Sequence, residues 1–205
     1  MTYKRSQVED ALCRSNAVRG AARSKLLVRL KRLLDIDRGL APKRGASQRC
    51  AFFSEEGPGK GQEASFQEYE VFALDVGLLM AAQSLPQIDV VEILRELRPS
   101  LEKEYQTIVT RPLAYYADLK KAERKRGPLI SNHPIFITVT AAVDKSTASV
   151  TRSGFTAEIL HGGAGWWNHF WSTKGKAATT LEITLLAHAL RSILSNIKPR
   201  RKGRP

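Results

Sequence analysis

Cysteine is nearly absent: Cys13 and Cys50 are the only two in 205 residues, and neither has a second ligand at metal-binding spacing. That excludes a disulfide-stapled scaffold and a Cys-rich zinc site, and it fits a reducing compartment. Long apolar runs are missing as well. The stretches around residues 71–82 and 135–143 are too short or too interrupted to span a bilayer. Met1-Thr2-Tyr3-Lys4-Arg5 leads into polar residues, so no secretory signal is expected. Acidic residues are outnumbered, 20 Asp/Glu against 33 Lys/Arg, for a formal net charge of +13. Apolar residues make up 42%, enough for a core, which excludes a disordered composition.

The charge is unevenly spread. Residues 1–50 carry 13 Lys/Arg and 4 Asp/Glu, residues 51–118 carry 5 and 12, and residues 119–205 carry 15 and 4. Two basic ends flank an acidic middle, and a polyanion, most commonly nucleic acid, is the implied partner. A chain that is merely basic would show the same sum, so the motifs decide.

Ser6-Gln7-Val8-Glu9 has the form of a capping box and predicts a short helix to about residue 13. A second helix is predicted over 19–36, with Leu26, Leu27, Leu30, Leu33 and Leu34 at helical spacing, ended by Gly39 and Pro42. Residues 43–49 form a basic connector. The stretch FFSEEGPGKGQEASF, 52–66, looks at first like a phosphate loop. It fails the Walker pattern: Gly59-Lys60 is followed by Gly61 instead of Ser or Thr, Ser54 stands where the first glycine belongs, and Glu55 and Glu56 repel phosphate. It reads better as a glycine-rich hairpin between short strands at 51–54 and 62–66. Ser65-Phe66-Gln67-Glu68 and Ser84-Leu85-Pro86-Gln87 open two further helices, the second stopping near Pro99. A long helix is predicted over 100–126, kinked at Pro112. After Gly127-Pro128 the pattern turns to strands, at 134–143, 148–151 and 155–160. Thr179-Thr180-Leu181-Glu182 is a fourth capping box, before an apolar helix, and a basic tail expected to be disordered closes the chain. No internal repeat is apparent.

The order helix, turn, basic helix, hairpin, helix is that of a winged helix-turn-helix. In the second helix Lys25, Arg29 and Arg32 fall together opposite the leucines, with Arg23 nearby. Such a face can lie in a major groove, where Arg contacts guanine in bidentate fashion. A solvated helix face would use the same residues. The first hundred residues resemble the MerR-type winged-helix regulators. The likeness rests on the Tyr3-Lys4-Arg5-Ser6-Gln7-Val8 helix start, the basic second helix, a short wing, and the two helices that follow, including Leu85-Pro86-Gln87-Ile88-Asp89-Val90-Val91-Glu92-Ile93-Leu94. The family's Arg-Tyr-Tyr run after the second helix is absent. The resemblance implies a homodimer on a two-fold operator, with the 100–126 helix (Tyr105, Ile108, Val109, Leu113) as one candidate dimer element and intrachain packing as its other use.

HGGAGWWNHFW, 161–171, evokes a lipase oxyanion loop, but no G-x-S-x-G nucleophile elbow exists. His161 and His169 have no cysteine or carboxylate cluster near them in sequence, so no metal site is expected. Trp166, Trp167, Phe170 and Trp171 could form core or a dimer interface, line a ligand pocket, or stack on bases.

The fold class expected is α+β. It comprises a mostly helical winged-helix domain (1–98), a connecting or dimerisation helix (99–126), a small α/β effector or interaction domain (127–197) and the basic tail (198–205). The expected function is a cytoplasmic, nucleoid-associated transcriptional regulator that binds double-stranded DNA as a homodimer. DNA contacts are expected from Arg19, Arg23, Lys25, Arg29, Arg32, Lys43, Arg44 and Lys60. A small-molecule or protein effector would meet Trp166, Trp167, His169 and Trp171. No cofactor, no metal, no membrane contact and no catalysis are expected. The alternative from another class is an RNA-binding or nucleoprotein accessory factor without sequence-specific reading of DNA.

Overall fold

In the computed structural model the residues described are 1–40, 50–54, 64–112, 134–144, 149–150, 155–162, 165, 168–169 and 176–197. The fold is α+β and mostly helical, with two small antiparallel sheets. The chain divides into two compact units. One combines Met1–Arg95 with Ala189–Pro205, and the other is Glu96–His188.

The first unit opens with β1 (Thr2–Lys4), α1 (Arg5–Ser15) and α2 (Gly20–Gly39). Then come β2 (Ser65–Gln67), α3 (Glu68–Ala82) and α4 (Gln87–Thr110), which passes into the second unit. β1 and β2 pair antiparallel with Tyr3 opposite Phe66, both buried. The hairpin expected between 51–54 and 62–66 is thereby corrected. Residues 50–54 form bends, and β2 takes its partner from the N-terminus. The reason lies in Asp37, a buried carboxylate at the end of α2. It accepts hydrogen bonds from the backbone N–H of Ala51 (2.9 Å) and Phe52 (2.9 Å) and from Arg95 Nε (2.8 Å). Those amides are committed to a side chain and cannot join a ladder. The GPGKG tip lies outside the described residues.

The two halves of this unit repeat each other. Each runs short strand, helix, four-residue turn, helix. In each, the residue that starts the first helix donates its backbone N–H to a side chain three positions on: Lys4 to Gln7 (2.9 Å) and Gln67 to Glu70 (2.7 Å). That is one arm of a capping box. The first N-cap falls two residues before the Ser6-x-x-Glu9 match, and the second two residues after the start of the Ser65-x-x-Glu68 match. The turns match bond for bond. Asn16, Ala17 and Val18 donate to Leu12, Arg14 and Cys13, and Gln83, Ser84 and Leu85 donate to Leu79, Ala81 and Met80. Ala17 and Ser84 both sit at positive φ, 51° and 69°, the left-handed residue of a Schellman C-cap. A repeat therefore exists where the sequence showed none. Paired positions share burial more than identity: Val8 is matched by Val71, but Tyr3 by Phe66 and Ala11 by Leu74.

α3 is buried on nearly every side and packs on α1 and α2. Its Gly77 lets Leu94 and Phe52 press close to its backbone; a Cβ there would stand 3.2 and 3.3 Å from them. α4 is continuous through Pro99, where two helices were expected. It ends at Thr110, just short of Pro112, which disfavours helical geometry in the residue before it.

The second unit is built on β3 (Ile135–Asp144), a β-branched strand that pairs antiparallel with β4 (Ser149–Val150), β5 (Thr156–His161) and β6 (Lys176–Glu182). Its residues Ile135, Ile137, Val139 and Ala141 are buried, and so are Thr138 and Thr140. Thr140 Oγ1 lies 2.7 Å from Thr156 Oγ1. The capping box placed at Thr179–Glu182 is corrected: those residues are strand, paired to Phe136–Val139. Glu182 still caps a helix, two residues later. Its carboxylate accepts from the N–H groups of Thr184 (2.7 Å) and Leu185 (3.1 Å) at the start of α5 (Thr184–Ser195). From Ala189 onward α5 belongs to the first unit.

Candidate nucleic-acid interface

α2 buries Leu26, Leu30, Leu33, Leu34 and Asp37 along one stripe. Before Leu26 it buries nothing: Gly20 through Lys25 are all exposed. The first turn and a half of the second helix therefore stands clear of the unit's core, as a helix must to enter a groove about 12 Å wide. Arg19, Arg23, Lys25, Arg29 and Arg32 are all exposed, as is Lys31, which the sequence reading passed over.

The cations on the neighbouring helix are neutralised within it. Arg5 pairs with Glu9 (2.9 Å) and Arg14 with Asp10 (2.8 Å). At the end of α2, Arg38 stands 3.8 Å from Asp35 and lies 5.3 Å over the ring of Phe53. By contrast, none of Arg19, Arg23, Lys25, Arg29, Lys31 and Arg32 has an ion-pair partner among the described residues. No acidic residue occurs on α2 before Asp35. Cations left uncompensated on a rigid helix are free to displace counterions from a polyanion.

Val28 is the second feature the sequence reading missed. It is 51% exposed on the outer face. Lys25, Lys31 and Arg32 lie three or four positions away, so they surround it on the helix surface. The signal was available, since Val28 falls off the leucine stripe. An apolar side chain amid donors is the mixture that reads base edges, apolar contact to a thymine methyl and hydrogen bonds to guanine.

The turn that aims α2 is held from beneath by Asp75 of α3. Its carboxylate accepts from Ser15 Oγ (2.6 Å) and Asn16 Nδ2 (2.7 Å), and Asn16 Nδ2 also donates to the Leu12 carbonyl (2.9 Å). Burial pushes the Asp75 carboxyl above its ordinary range, and the two hydrogen bonds only partly offset this. The nearby Cys13 thiol is likewise raised by burial, with Arg23 pulling it down and Asp10 and Glu9 pushing it up, which makes it a poor nucleophile at neutral pH.

Beside the base of α2 lies a polar groove of about 440 Å³, lined by Ser6, Gln7, Asp10, Arg14, Arg23, Asn196 and Ile197. Among the other expected site residues, Lys43, Arg44 and Lys60 lie outside the described residues, as do Trp166, Trp167 and Trp171. His169 is described, and it has a carboxylate close by after all: its Nδ1 stands 2.6 Å from Glu158 Oε1. His161 Nε2 is 3.5 Å from Glu104 Oε1. These two histidines thus each have an acidic neighbour, and among the described residues no group of three or more metal-ligating side chains assembles. No described helix is long and apolar enough to cross a membrane.

Comparison with known proteins supplies no relative: no family model matches the sequence, and no match is found among curated proteins or solved structures.

Proposed function

We propose that this chain is a helix-turn-helix transcriptional regulator that reads double-stranded DNA with α2 in the major groove. The observation that carries the reading is α2 with its N-cap: six exposed cations without ion-pair partners among the described residues, of which Lys25, Lys31 and Arg32 neighbour an exposed valine. In the docked state Arg23, Lys25, Arg29 and Arg32 contact base edges and phosphates, with Arg19 and Lys31 on the flanks. Val28 meets a base methyl. Asp75 fixes the turn, so the helix is aimed before DNA arrives and little ordering cost remains at binding. The resemblance to the MerR-type regulators is kept for the order of the helices and for a homodimer on a two-fold site. The hairpin wing is not kept, because β2 is paired elsewhere.

The test is fluorescence anisotropy of the purified protein on promoter-derived duplexes and on random duplex, at two salt concentrations. Preference for particular duplexes that survives the higher salt is the expected result. Replacing Arg29 and Arg32 with Ala should weaken that binding by about 1–3 kcal/mol per lost base contact while the melting temperature stays within a degree or two. Equal binding to all duplexes that collapses with salt would falsify sequence-specific reading and favour the accessory-factor role. Unchanged binding in the double variant would remove α2 from the interface.

A further inference from the structure

Two cavities adjoin within the first unit. The polar groove at the base of α2 shares Ser6, Gln7 and Ile197 with a second cavity of about 500 Å³, which lies against β1, Ala64 and Leu194. The second cavity is mostly apolar, while the groove holds Arg14, Arg23 and Asp10. A mostly apolar lining with a few placed polar groups is the usual make-up of a small-molecule site of this size. The polar groups at the junction are chiefly donors. Gln7 is oriented by its own Oε1, which accepts the Lys4 backbone N–H (2.9 Å), and its Nε2 has no partner among the described residues. The Ser6 hydroxyl is exposed and likewise has none. Arg14 spends one guanidinium nitrogen on Asp10 (2.8 Å), while Arg23 has no ion pair among the described residues. The described lining thus sets three cations, Lys4, Arg14 and Arg23, against a single acid that is already paired. An inorganic anion would leave the apolar half unfilled, and a neutral apolar molecule would leave the donors unmet.

We infer that the joined cleft binds an organic carboxylate with a small apolar body, its carboxylate on Arg23 and Gln7 and its body along β1, and that this ligand acts as an effector by withdrawing Arg23 from DNA. The binding site stands on the cleft alone, and the effector role rests on the assignment of α2 to the major groove. Arg23 belongs to the exposed start of α2, ahead of the leucine stripe, and it also lines the groove. It therefore serves either a ligand beside the helix or the duplex in front of it. A guanidinium makes its bidentate pair with one planar anion at a time, so the two uses compete. Withdrawal of one phosphate contact lowers affinity and makes the salt dependence shallower by about 0.9 in slope.

The probe is phenylacetate, titrated into the full-length protein and followed by proton–nitrogen NMR. A ligand of about ten non-hydrogen atoms at ordinary ligand efficiency binds with a Kd on the order of 1–10 mM. The side-chain signals of Gln7 Nε2 and Arg23 Nε should shift together and saturate. Acetate, which carries the carboxylate alone, and phenylacetamide, which carries the body without the charge, should each bind at least about tenfold more weakly. Arg23→Gln removes the cation, and Ser6→Asp sets a repelling carboxylate at the junction. Both positions are exposed, so thermal melting should change little, and each variant should weaken phenylacetate by about tenfold. Saturating phenylacetate should lower duplex affinity severalfold in the parent and leave that of Arg23→Gln level. Absence of saturable shifts, parental affinity for the probe in both variants, or acetate binding as tightly as phenylacetate overturns the site. Unchanged duplex affinity in a parent that binds both overturns the effector role. A parent that binds phenylacetate but no duplex overturns the α2 assignment and leaves the site standing.

Discussion

Asp75 places a carboxylate where its ionised form is poorly solvated, and two donors from the α1–α2 turn only partly compensate. The consequence has a definite sign. A carboxyl whose folded value lies above its unfolded one contributes most stability below the unfolded value, and that contribution is lost as pH rises through the folded value. Asp75→Asn removes this dependence while keeping one acceptor for Ser15 or Asn16. The stability of the parent relative to Asp75→Asn should therefore rise as pH is lowered from neutral to about 4, the ordinary carboxyl range. Urea unfolding of both proteins at the two ends of that window measures it. A difference that does not change with pH would show that the carboxylate is solvated well enough to be neutral in effect. Asp37 is the contrasting case, a buried carboxylate met by two backbone donors and a guanidinium, which spend its charge on shaping residues 51–52. No composition count separates these two aspartates from the exposed Asp35. Their roles come from partners 60 and 14 positions away in sequence.

The elements were legible where periodicity was strong. The leucine stripe of α2 and the β-branched run of β3 declare themselves, and so do the cations on the opposite face of α2. The boundaries were not. The N-caps are Lys4 and Gln67, types outside the favoured set, and each follows a strand only three residues long, too short to show alternation. Thr179-Thr180-Leu181 matches a cap pattern but is β-branched enough to pair with β3, and pairing won. The repeated turn was hidden because its left-handed position is filled by Ala17 and Ser84 instead of glycine. This gives a test on both copies. Ala17→Gly and Ser84→Gly should each stabilise by about 0.5–1 kcal/mol, since relief of left-handed strain outweighs the added freedom of the unfolded chain. Ala22→Gly, at an exposed helical position, should instead cost about 1 kcal/mol. Thermal melts of the three variants decide the matter. Destabilisation at 17 and 84 alike would mean the turns are not strained.

Across the whole molecule, the two halves of the repeat share their turns but diverge in charge. α2 has six Lys/Arg and two Asp, whereas α4 has three and five Asp/Glu. The acidic middle seen in the sequence is thus the second copy of a motif whose first copy is basic, and only the first is suited to a polyanion. The sequence disclosed the polarity of the two stretches but not their equivalence, which needs the β1–β2 pairing to become visible. The division into units was equally hidden, since residues 189–205 group with residues 1–95 and no linker composition marks that return.

That return has a bearing on how the chain acquires its structure. Residues 96–188 are contiguous, so they can close on themselves as soon as they are made. The other unit needs Tyr3 beside Phe66 and then waits for Leu194 and Ile197. Loops of that length slow assembly far more than they weaken the product. A fragment of residues 96–188 should melt cooperatively by itself, and a fragment of 1–95 should not. Calorimetry on the two fragments checks this, and a cooperative transition in 1–95 would refute it. During synthesis α2 would then be among the first segments to emerge and among the last to be locked into place, held only after the final turn of α5 has arrived.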